Sequence, residues 1–196
     1  AMSAKATGNA DISLFGKAAS DAINIEAEED VTITSRGNIS NGSYKARKAL
    51  RVHTAKDGII SGGTFTGNTA DITNAGTMSD GDYRAKDGDM TIINDGSMTG
   101  GAYTAKGDLT YTDSEKAALS GSEFTSEEGN VDVNAKGKLA IKELAAKGNA
   151  KIEAAGDATL HEVNAGGNLK AEAGGSILAV GENARISAGT IEMKAG

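Results

Sequence analysis

Apolar and polar residues alternate along this chain in short stretches that recur about every 20 residues. The recurrence divides the sequence into nine coils whose starts are spaced 19 to 22 residues apart. Most of the starts are Asn or Asp, and the nine are Asn9, Asp30, Ala49, Thr69, Asp89, Asp108, Asn130, Asn149 and Asn168. Repeats of this length indicate a solenoid, in which each repeat forms one turn of the chain and packs on the next.

The first stretch of each coil predicts a short β-strand. The residues one and three positions after the start are apolar, and the residue between them is polar. A period of two residues is typical of a strand that buries one face. One position after the start the column reads Ala10, Val31, Leu50, Ala70, Met90, Leu109, Val131, Ala150 and Leu169. Three positions after the start it reads Ile12, Ile33, Val52, Ile72, Ile92, Tyr111, Val133, Ile152 and Ala171.

Glycine recurs seven positions after the start and predicts a corner. Lys56 and Glu115 replace it in two coils, and the other seven coils have Gly16, Gly37, Gly76, Gly96, Gly137, Gly156 and Gly175. A recurrent glycine indicates either a positive φ angle or an approach to neighbouring backbone that leaves no room for a Cβ atom.

Two further apolar columns predict a second and a third strand in each coil. The second column, nine positions after the start, includes Ile39, Met78, Met98, Leu139, Ala158 and Ile177. The third column contains five of the seven aromatic residues, Tyr44, Phe65, Tyr83, Tyr103 and Phe124, and continues into Leu144 and Val163. An outward column of rings would suit sugar binding. The alternation with polar neighbours and the continuation into aliphatic residues favour a structural ladder inside the fold.

These columns predict an all-β fold, a parallel β-helix of about 9–10 coils of 19–22 residues with three short strands in each coil. We expect residues 9–196 to form a single domain that is a fragment of a longer rod, and residues 1–8 to be an expression scar and an irregular lead-in. A helical turn is expected only near residues 114–119, where the longest spacing between starts falls. Ends cut through such a rod would expose open sheet edges, so end-to-end stacking is a further expectation.

Composition excludes several classes of protein. The chain has 27 glycines, no proline, no cysteine and no tryptophan, which disfavours a compact core of large side chains and disulfide stabilisation. The formal net charge of -7 argues against nucleic acid and anionic lipid as partners, because both require a basic surface. No apolar run approaches the roughly 18 residues that a membrane span needs.

Three segments resemble the filamentous haemagglutinin repeat, Gly-Asn-Leu-x-Ile-x-Ala-Gly-Gly-x-Ile. They are GNVDVNAKGKLAI (129–141), GNAKIEAAGDATL (148–160) and GNLKAEAGGSI (167–177). The resemblance implies a right-handed parallel β-helix from an exoprotein of bacterial two-partner secretion, secreted or displayed on the cell surface. Such fibres serve in cell adhesion and virulence, and the alternative within the family is the shaft of a contact-dependent growth inhibition protein that delivers a toxin. Expected partners are an outer-membrane transporter during secretion and a receptor or glycan on a host or neighbouring cell.

The histidines and turn aspartates give no prediction of a catalytic, cofactor or metal site. His53 and His161 are 108 residues apart and fall in distant coils, so they cannot share a metal ion or a triad. Asp57, Asp87 and Asp95 precede glycines, which is ordinary turn chemistry rather than a calcium-binding pattern.

A carbohydrate-active β-helix enzyme or a phage tail fibre is the alternative of another class. The residues that could serve it are Asp132, Glu153 and Glu172, which line one exposed strand face with Lys151 and Lys170 between them. Ion pairing between coils on a solvated face accounts for the same residues. We therefore expect a protein that is not an enzyme and uses no cofactor.

Overall fold

The protein is a parallel β-helix of about nine turns. The computed structural model describes the backbone of residues 2–21 and 23–196 and the side chains of residues 3–15 and 23–196. Within these residues there is no helix, and the predicted all-β fold is confirmed. The strands are β1 (Met2–Ala6), β2 (Ala10–Asp21), β3 (Ile23–Ala27), β4 (Val31–Ser40), β5 (Ser43–Ala46), β6 (Ala49–Thr54), β7 (Ile59–Ser61), β8 (Thr64–Gly67), β9 (Thr69–Asn74), β10 (Thr77–Ser79), β11 (Asp82–Ala85), β12 (Met90–Asn94), β13 (Ser97–Thr99), β14 (Ala102–Ala105), β15 (Leu109–Asp113), β16 (Ala118–Ser126), β17 (Val131–Ala135), β18 (Leu139–Ala146), β19 (Ala150–Ala154), β20 (Ala158–Ala165), β21 (Asn168–Ala173), β22 (Ile177–Ala179), β23 (Arg185–Ser187) and β24 (Thr190–Ala195).

The strands form three faces, each a parallel ladder along the rod. The first face contains the start of β2 and of β4, followed by β6, β9, β12, β15, β17, β19, β21 and β24. The second face contains the end of β4, then β7, β10, β13, the start of β16, β18 and β20, and β22. The third face contains β1, β3, β5, β8, β11, β14, the end of β16, β18 and β20, and β23.

The pairing register matches the columns of the sequence. Ala10 lies opposite Val31, and the same column continues without a slip to Leu169 and then Ile191. Because side chains alternate between the two sides of a strand, this register places every apolar column on the inside. The three strand segments of each coil and the positions of the nine coil starts are thus confirmed, although β2, β4, β16, β18 and β20 each run through a corner and join two segments.

The first corner, between the first and second faces, is where the glycine column lies. Gly58 occupies the column in place of Lys56, because residues 55–58 form an extra turn closed by the Gly58 N–H donating to the Ala55 carbonyl at 2.8 Å. A Cβ atom on Gly96 would collide with the carbonyl oxygen of Gly76 in the coil below. Close approach of neighbouring coils, rather than a positive φ, therefore explains Gly58, Gly76 and Gly96, whereas a Cβ atom on Gly137 would meet nothing nearer than 3.7 Å.

A similar extra turn replaces the helical turn expected near residues 114–119. The Ala117 N–H donates to the Ser114 carbonyl at 3.0 Å, and β16 begins directly afterwards. Ala117 thus takes the column position that Glu115 was predicted to hold. Both insertions point outward and leave the pairing of the flanking strands intact.

Positive φ angles occur at the second corner, between the second and third faces, and not at the first corner as one reading of the sequence proposed. Asn41 and Asp80 have φ values of 58° and 54°, and Gly62, Gly100 and Gly121 occupy the same corner with values of 63° to 69°. Asn, Asp and Gly are the residues that adopt this left-handed conformation at lowest cost.

The third corner, between the third face and the first face of the next coil, contains the coil starts and explains why most of them are Asn or Asp. The side-chain oxygen at a coil start accepts a hydrogen bond from the backbone N–H at the next start. Such bonds run from Asp108 N–H to Asp89, from Asn130 N–H to Asp108, from Asn149 N–H to Asn130 and from Asn168 N–H to Asn149, at 2.7 to 2.8 Å. We call this column the Asx ladder. It satisfies corner N–H groups that have no strand partner.

Residues 2–6 are more regular than predicted. Met2–Ala6 forms strand β1, which pairs in parallel with Ile23–Ala27. An irregular lead-in was therefore the wrong expectation for these residues, because their alternation continues the third face by one more strand.

Candidate functional site: interior ladders and exposed faces

The five aromatic residues of the third column form a stack inside the rod. Each is at most 1 % exposed. The rings of Tyr44, Phe65, Tyr83 and Tyr103 lie nearly parallel, with centroids 4.5 to 4.9 Å apart and interplanar angles of 5° to 7°. The spacing of the rings equals the spacing of the strands that carry them. These residues are thus inaccessible to a sugar or any other external ligand.

The stack tilts at its last ring, where another aromatic side chain enters the interior. The Tyr103 and Phe124 rings are 5.6 Å apart at an angle of 33°. Tyr111 on the first face lies 5.5 Å from Phe124 and occupies a position held by aliphatic residues in most other coils. The crowding of these two rings accounts for the tilt.

Each stacked ring lies against the second corner of its own coil. The residue two positions before the ring is Gly42, Gly63, Gly81 or Gly101 in the first four of these coils. A Cβ atom on Gly63 would lie 3.1 Å from the Phe65 ring, and one on Gly101 would lie 3.2 Å from the Tyr103 hydroxyl. Glycine at this position therefore leaves the space that a large ring needs.

A second ladder inside the rod is polar, and the sequence interpretation missed it. Ser35, Thr54, Asn74, Asn94 and Asp113 lie five positions after their coil starts, and each is at most 8 % exposed. We call this column the polar ladder. The sequence did contain a signal for this ladder. Positions one, three and five of a strand point to the same side, so the fifth position should face inward like the two apolar positions before it.

Hydrogen bonds connect the middle of the polar ladder from coil to coil. The Asn74 amide donates to the Asn94 side-chain oxygen at 2.8 Å, and the Asn94 amide donates to the Tyr111 hydroxyl at 3.0 Å. That hydroxyl donates to the Asp113 carboxylate at 3.1 Å. The Asn74 and Asn94 oxygens also accept the N–H groups of Gly76 and Gly96 at the first corner. The ladder thus satisfies corner backbone groups that point into the rod.

Asp113 ends the polar ladder as a largely buried carboxylate. Burial raises its pKa, while the hydrogen bonds from the Lys136 N–H, at 2.6 Å, and from the Tyr111 hydroxyl act in the opposite direction. Burial also raises the pKa of Tyr111. Both groups are enclosed in the rod, so their altered pKa values reflect structure rather than contact with a substrate.

The carboxylates considered for an enzyme lie on the exposed side of the first face. Lys151 pairs with Glu153 at 2.9 Å and Lys170 with Glu172 at 3.0 Å, in both cases within one strand. The hydrogen bond from Lys170 is the main cause of the lowered pKa of Glu172. Pairing between coils was therefore the wrong expectation for these two pairs, although Asp132 does lie opposite Lys151. Glu153 and Glu172 each lie beside a lysine and line an open groove of about 450 Å³, which Lys136 and Lys194 also border.

Ion pairs between coils occur at other positions, as between Lys138 and Asp157 at 3.0 Å and at several positions in the first coils of the rod. Arg47 pairs with Glu28 at 2.6 Å, Lys45 with Glu26 at 3.4 Å, and Arg51 with Asp30 at 2.7 Å. The cationic side chains are about half exposed or more, so these pairs contribute little to stability.

The histidines and acidic residues form no metal centre in the described part of the chain. His53 lies on β6 and His161 on β20, five coils apart. Within that part, no three His, Cys, Asp or Glu side chains are arranged to hold a metal ion. An open groove of about 420 Å³ runs past His161 and is lined mainly by small and apolar residues such as Ala140 and Val180.

The two ends of the rod present parts of the interior to solvent. At the carboxyl-terminal end, Ile191 and Met193 continue inward columns but are 49 % and 41 % exposed. At the amino-terminal end, Ala10, Ile12 and Leu14 hold the same columns and are only partly buried.

Comparisons with known proteins identify no relative: no family model, curated protein or solved structure matches the chain. The described residues contain no helix with the length and apolarity that a membrane crossing requires.

Proposed function

We propose that this chain is a segment of the rigid shaft of a filamentous haemagglutinin-like exoprotein, secreted or held on a bacterial cell surface, that acts in cell adhesion. The observation that carries the proposal is the unbroken register of the first face, in which one residue column runs from Ala10 to Ile191. A structure of this kind extends by adding coils and keeps its cross-section, which suits a spacer.

The residues that carry the resemblance also have structural roles typical of a repeat. Asn130, Asn149 and Asn168, the Asn of each Gly-Asn pair, belong to the Asx ladder. The alternating residues that follow, such as Val131 and Val133, are buried in the core. A motif selected to stack coils would keep these positions, so the repeat supports a shaft.

A cell-binding experiment tests the adhesive part of the proposal. Beads coated with the purified chain are expected to bind epithelial cells in a saturable way, and soluble chain should compete for that binding. The control is a bead coated with an unrelated acidic protein of similar charge. Binding to bacterial cells alone would favour the shaft of a contact-dependent inhibition protein, and no binding above the control would leave the chain as a spacer without adhesive activity.

Two simpler measurements test the rod itself and the rival enzyme. Small-angle X-ray scattering should give a rod of roughly 45 Å, because about nine coils rise ~4.8 Å each. Incubation with a panel of polysaccharides should release no new reducing or unsaturated ends. Release of such ends that is lost in a Glu153→Gln, Glu172→Gln double variant would replace the shaft with a carbohydrate-active enzyme.

A further inference from the structure

We infer that the buried pair of Tyr111 and Asp113 is a one-electron oxidation site, at which Tyr111 becomes a neutral phenoxyl radical while Asp113 takes its proton. The oxidant is a one-electron acceptor outside the rod, such as a metal complex or a small radical. The inference concerns the interior of the rod and does not depend on the adhesive function proposed above.

The composition of the chain makes tyrosine its most easily oxidised residue type. Tryptophan, cysteine and tyrosine are the side chains that lose a single electron most readily, and this chain has four tyrosines but no tryptophan and no cysteine. The four tyrosines share the interior of the rod and are at most 1 % exposed: Tyr44, Tyr83, Tyr103 and Tyr111. An electron taken from this chain should therefore come from inside the rod.

Tyr111 differs from its neighbours in having a proton acceptor. A tyrosine that loses an electron becomes a strong acid and must release its proton, because an unpaired cation is costly in an apolar interior. The Tyr111 hydroxyl donates to the Asp113 carboxylate at 3.1 Å, within the distance that proton transfer requires. The Tyr44 and Tyr83 hydroxyls are buried and have no hydrogen-bond partner among the described residues. The radical should therefore settle on Tyr111 rather than on either of these.

The electron and the proton leave Tyr111 in different directions. The electron passes from the Tyr111 ring to the oxidant, while the hydroxyl O–H bond breaks and an O–H bond forms on Asp113. The products are a neutral phenoxyl radical, a neutral carboxylic acid and the reduced oxidant. Burial raises the pKa of Asp113, so its carboxylate accepts a proton more readily than an exposed one. The Asn94 amide, which donates to the Tyr111 oxygen at 3.0 Å, can keep this bond to the radical.

The ring stack supplies a route for the electron, so the oxidant need not enter the rod. The Tyr111 ring lies 5.5 Å from Phe124, and Phe124 lies 5.6 Å from Tyr103. From Tyr103 the stack continues to Tyr44 with centroids 4.5 to 4.9 Å apart. Rings at these separations are in contact, and an electron can pass between them. An oxidant at the surface of any of these coils can thus draw its electron from Tyr111.

Electron paramagnetic resonance of freeze-quenched samples tests the site. The purified chain, mixed with photogenerated tris(bipyridine)ruthenium(III), should give the signal of a tyrosyl radical. Tyr111→Phe should abolish the long-lived part of this signal. Tyr103→Phe is the matched control and should keep it, because Phe65 and Phe124 show that its column accepts phenylalanine.

Asp113→Asn tests the proton acceptor separately. The substitution leaves the tyrosine in place, but an amide is a far weaker base than a carboxylate, so the radical yield should fall severalfold. The gx value at high field adds a readout that a purely structural role would not change. It falls when a phenoxyl oxygen accepts a hydrogen bond, so the radical of the unaltered chain should have a lower gx than that of Asn94→Ala.

Three results would overturn the inference. They are a folded chain that gives no tyrosyl signal, a signal that is unchanged in Tyr111→Phe, and equal yields from Asp113→Asn and the unaltered chain. Circular dichroism checks that each variant is folded. A loss of signal in Asp113→Asn cannot come from unfolding if the folded spectrum is retained.

Discussion

Two groups of coils fill the interior of the rod with different side chains. In the aromatic coils (30–129) the third column holds a ring, the fifth position of the first strand is polar, and the second corner has a residue with positive φ. In the alanine coils (130–173) the third column holds Leu144 or Val163, and the fifth position is Ala135, Ala154 or Ala173. Strands β18 and β20 run through the second corner without interruption.

The difference shows that the interior and the corners change together. Four of the five stacked rings follow a glycine that leaves them space at the second corner, while Phe124 follows Ser122 and Leu144 follows Lys142. The polar ladder appears in the same coils as the rings, and in the alanine coils its position holds alanine, which is smaller and makes no side-chain hydrogen bond. The Asx ladder does not change across the boundary, since Asn130 N–H bonds to Asp108 and Asn149 N–H to Asn130.

The largest effect should come from removing a ring. Phe65→Ala is expected to lower the free energy of unfolding by about 3–5 kcal/mol, because it leaves a cavity between two stacked rings. Val163→Ala, in the same column of an alanine coil, should cost only about 2 kcal/mol. Urea denaturation followed by circular dichroism measures both. Equal losses would mean that the two kinds of coil do not differ in packing energy.

The next effect should come from breaking the polar ladder. Asn94→Ala removes one hydrogen-bond partner each from Asn74 and Tyr111 and leaves the Gly96 N–H without its acceptor, so we expect a loss of about 1–3 kcal/mol. Asn134→Ala, on the outer surface of an alanine coil, is the matched control and should be nearly neutral. If denaturation gave similar values for both variants, the ladder would have no energetic role.

Asp113→Asn should stabilise the rod at neutral pH by about 1 kcal/mol, because an amide continues the pattern of Asn74 and Asn94 without a buried charge. Burial raises the pKa of Asp113 above its ordinary value of 3.8, so the folded protein holds the proton more tightly than the unfolded chain. Stability from this group is therefore present below that ordinary value and is lost as the pH rises through the folded-state pKa.

Unfolding measured from pH 3 to pH 8 should consequently show the advantage of Asp113→Asn growing as the pH rises. An advantage that stays constant with pH would show that the carboxylate is not perturbed by burial.

The smallest effect should come from a hydroxyl within the ring stack. The Tyr83 hydroxyl is buried and has no hydrogen-bond partner among the described residues, and burial raises its pKa well above the usual value. Tyr83→Phe should raise the free energy of unfolding by up to about 1 kcal/mol, since Phe65 shows that the column accepts phenylalanine. Tyr111→Phe is the contrasting variant and should destabilise, because Tyr111 bonds to Asn94 and Asp113.

The columns of the fold could be predicted from the sequence because every coil repeats them. Stacking places the residues of one column above one another. The sequence spacing between Ile33 and Val52 was therefore enough to predict that they pair. The extra turns at residues 55–58 and 114–117 could not be located by fixed spacing, and this shifted the glycine column by two residues in those coils. Because such insertions leave the strand pairing intact, the spacing of the repeat does not show where they lie.

The polar ladder and the second corner were missed for a different reason. Asn74 and Asn94 are polar residues at inward positions, and only partners in neighbouring coils make their burial favourable. A positive φ was one of two alternatives predicted for the most regular glycine column, whereas the structure has positive φ at the second corner and uses Asn41 and Asp80 there as well as glycine. Because Asn, Asp and Gly can all adopt a positive φ, no single residue type recurs at the second corner to reveal it in the sequence.

The nearly uniform offset between paired strands has a consequence for how the chain reaches its folded state. Each coil pairs with residues 18 to 23 positions away, and Arg84 with Glu127 is a rare contact that skips a coil. If the chain emerges gradually from a narrow opening, each coil therefore has all of its strand partners as soon as the next coil has emerged. Folding can advance one coil at a time, and each finished coil offers the edge on which its successor forms.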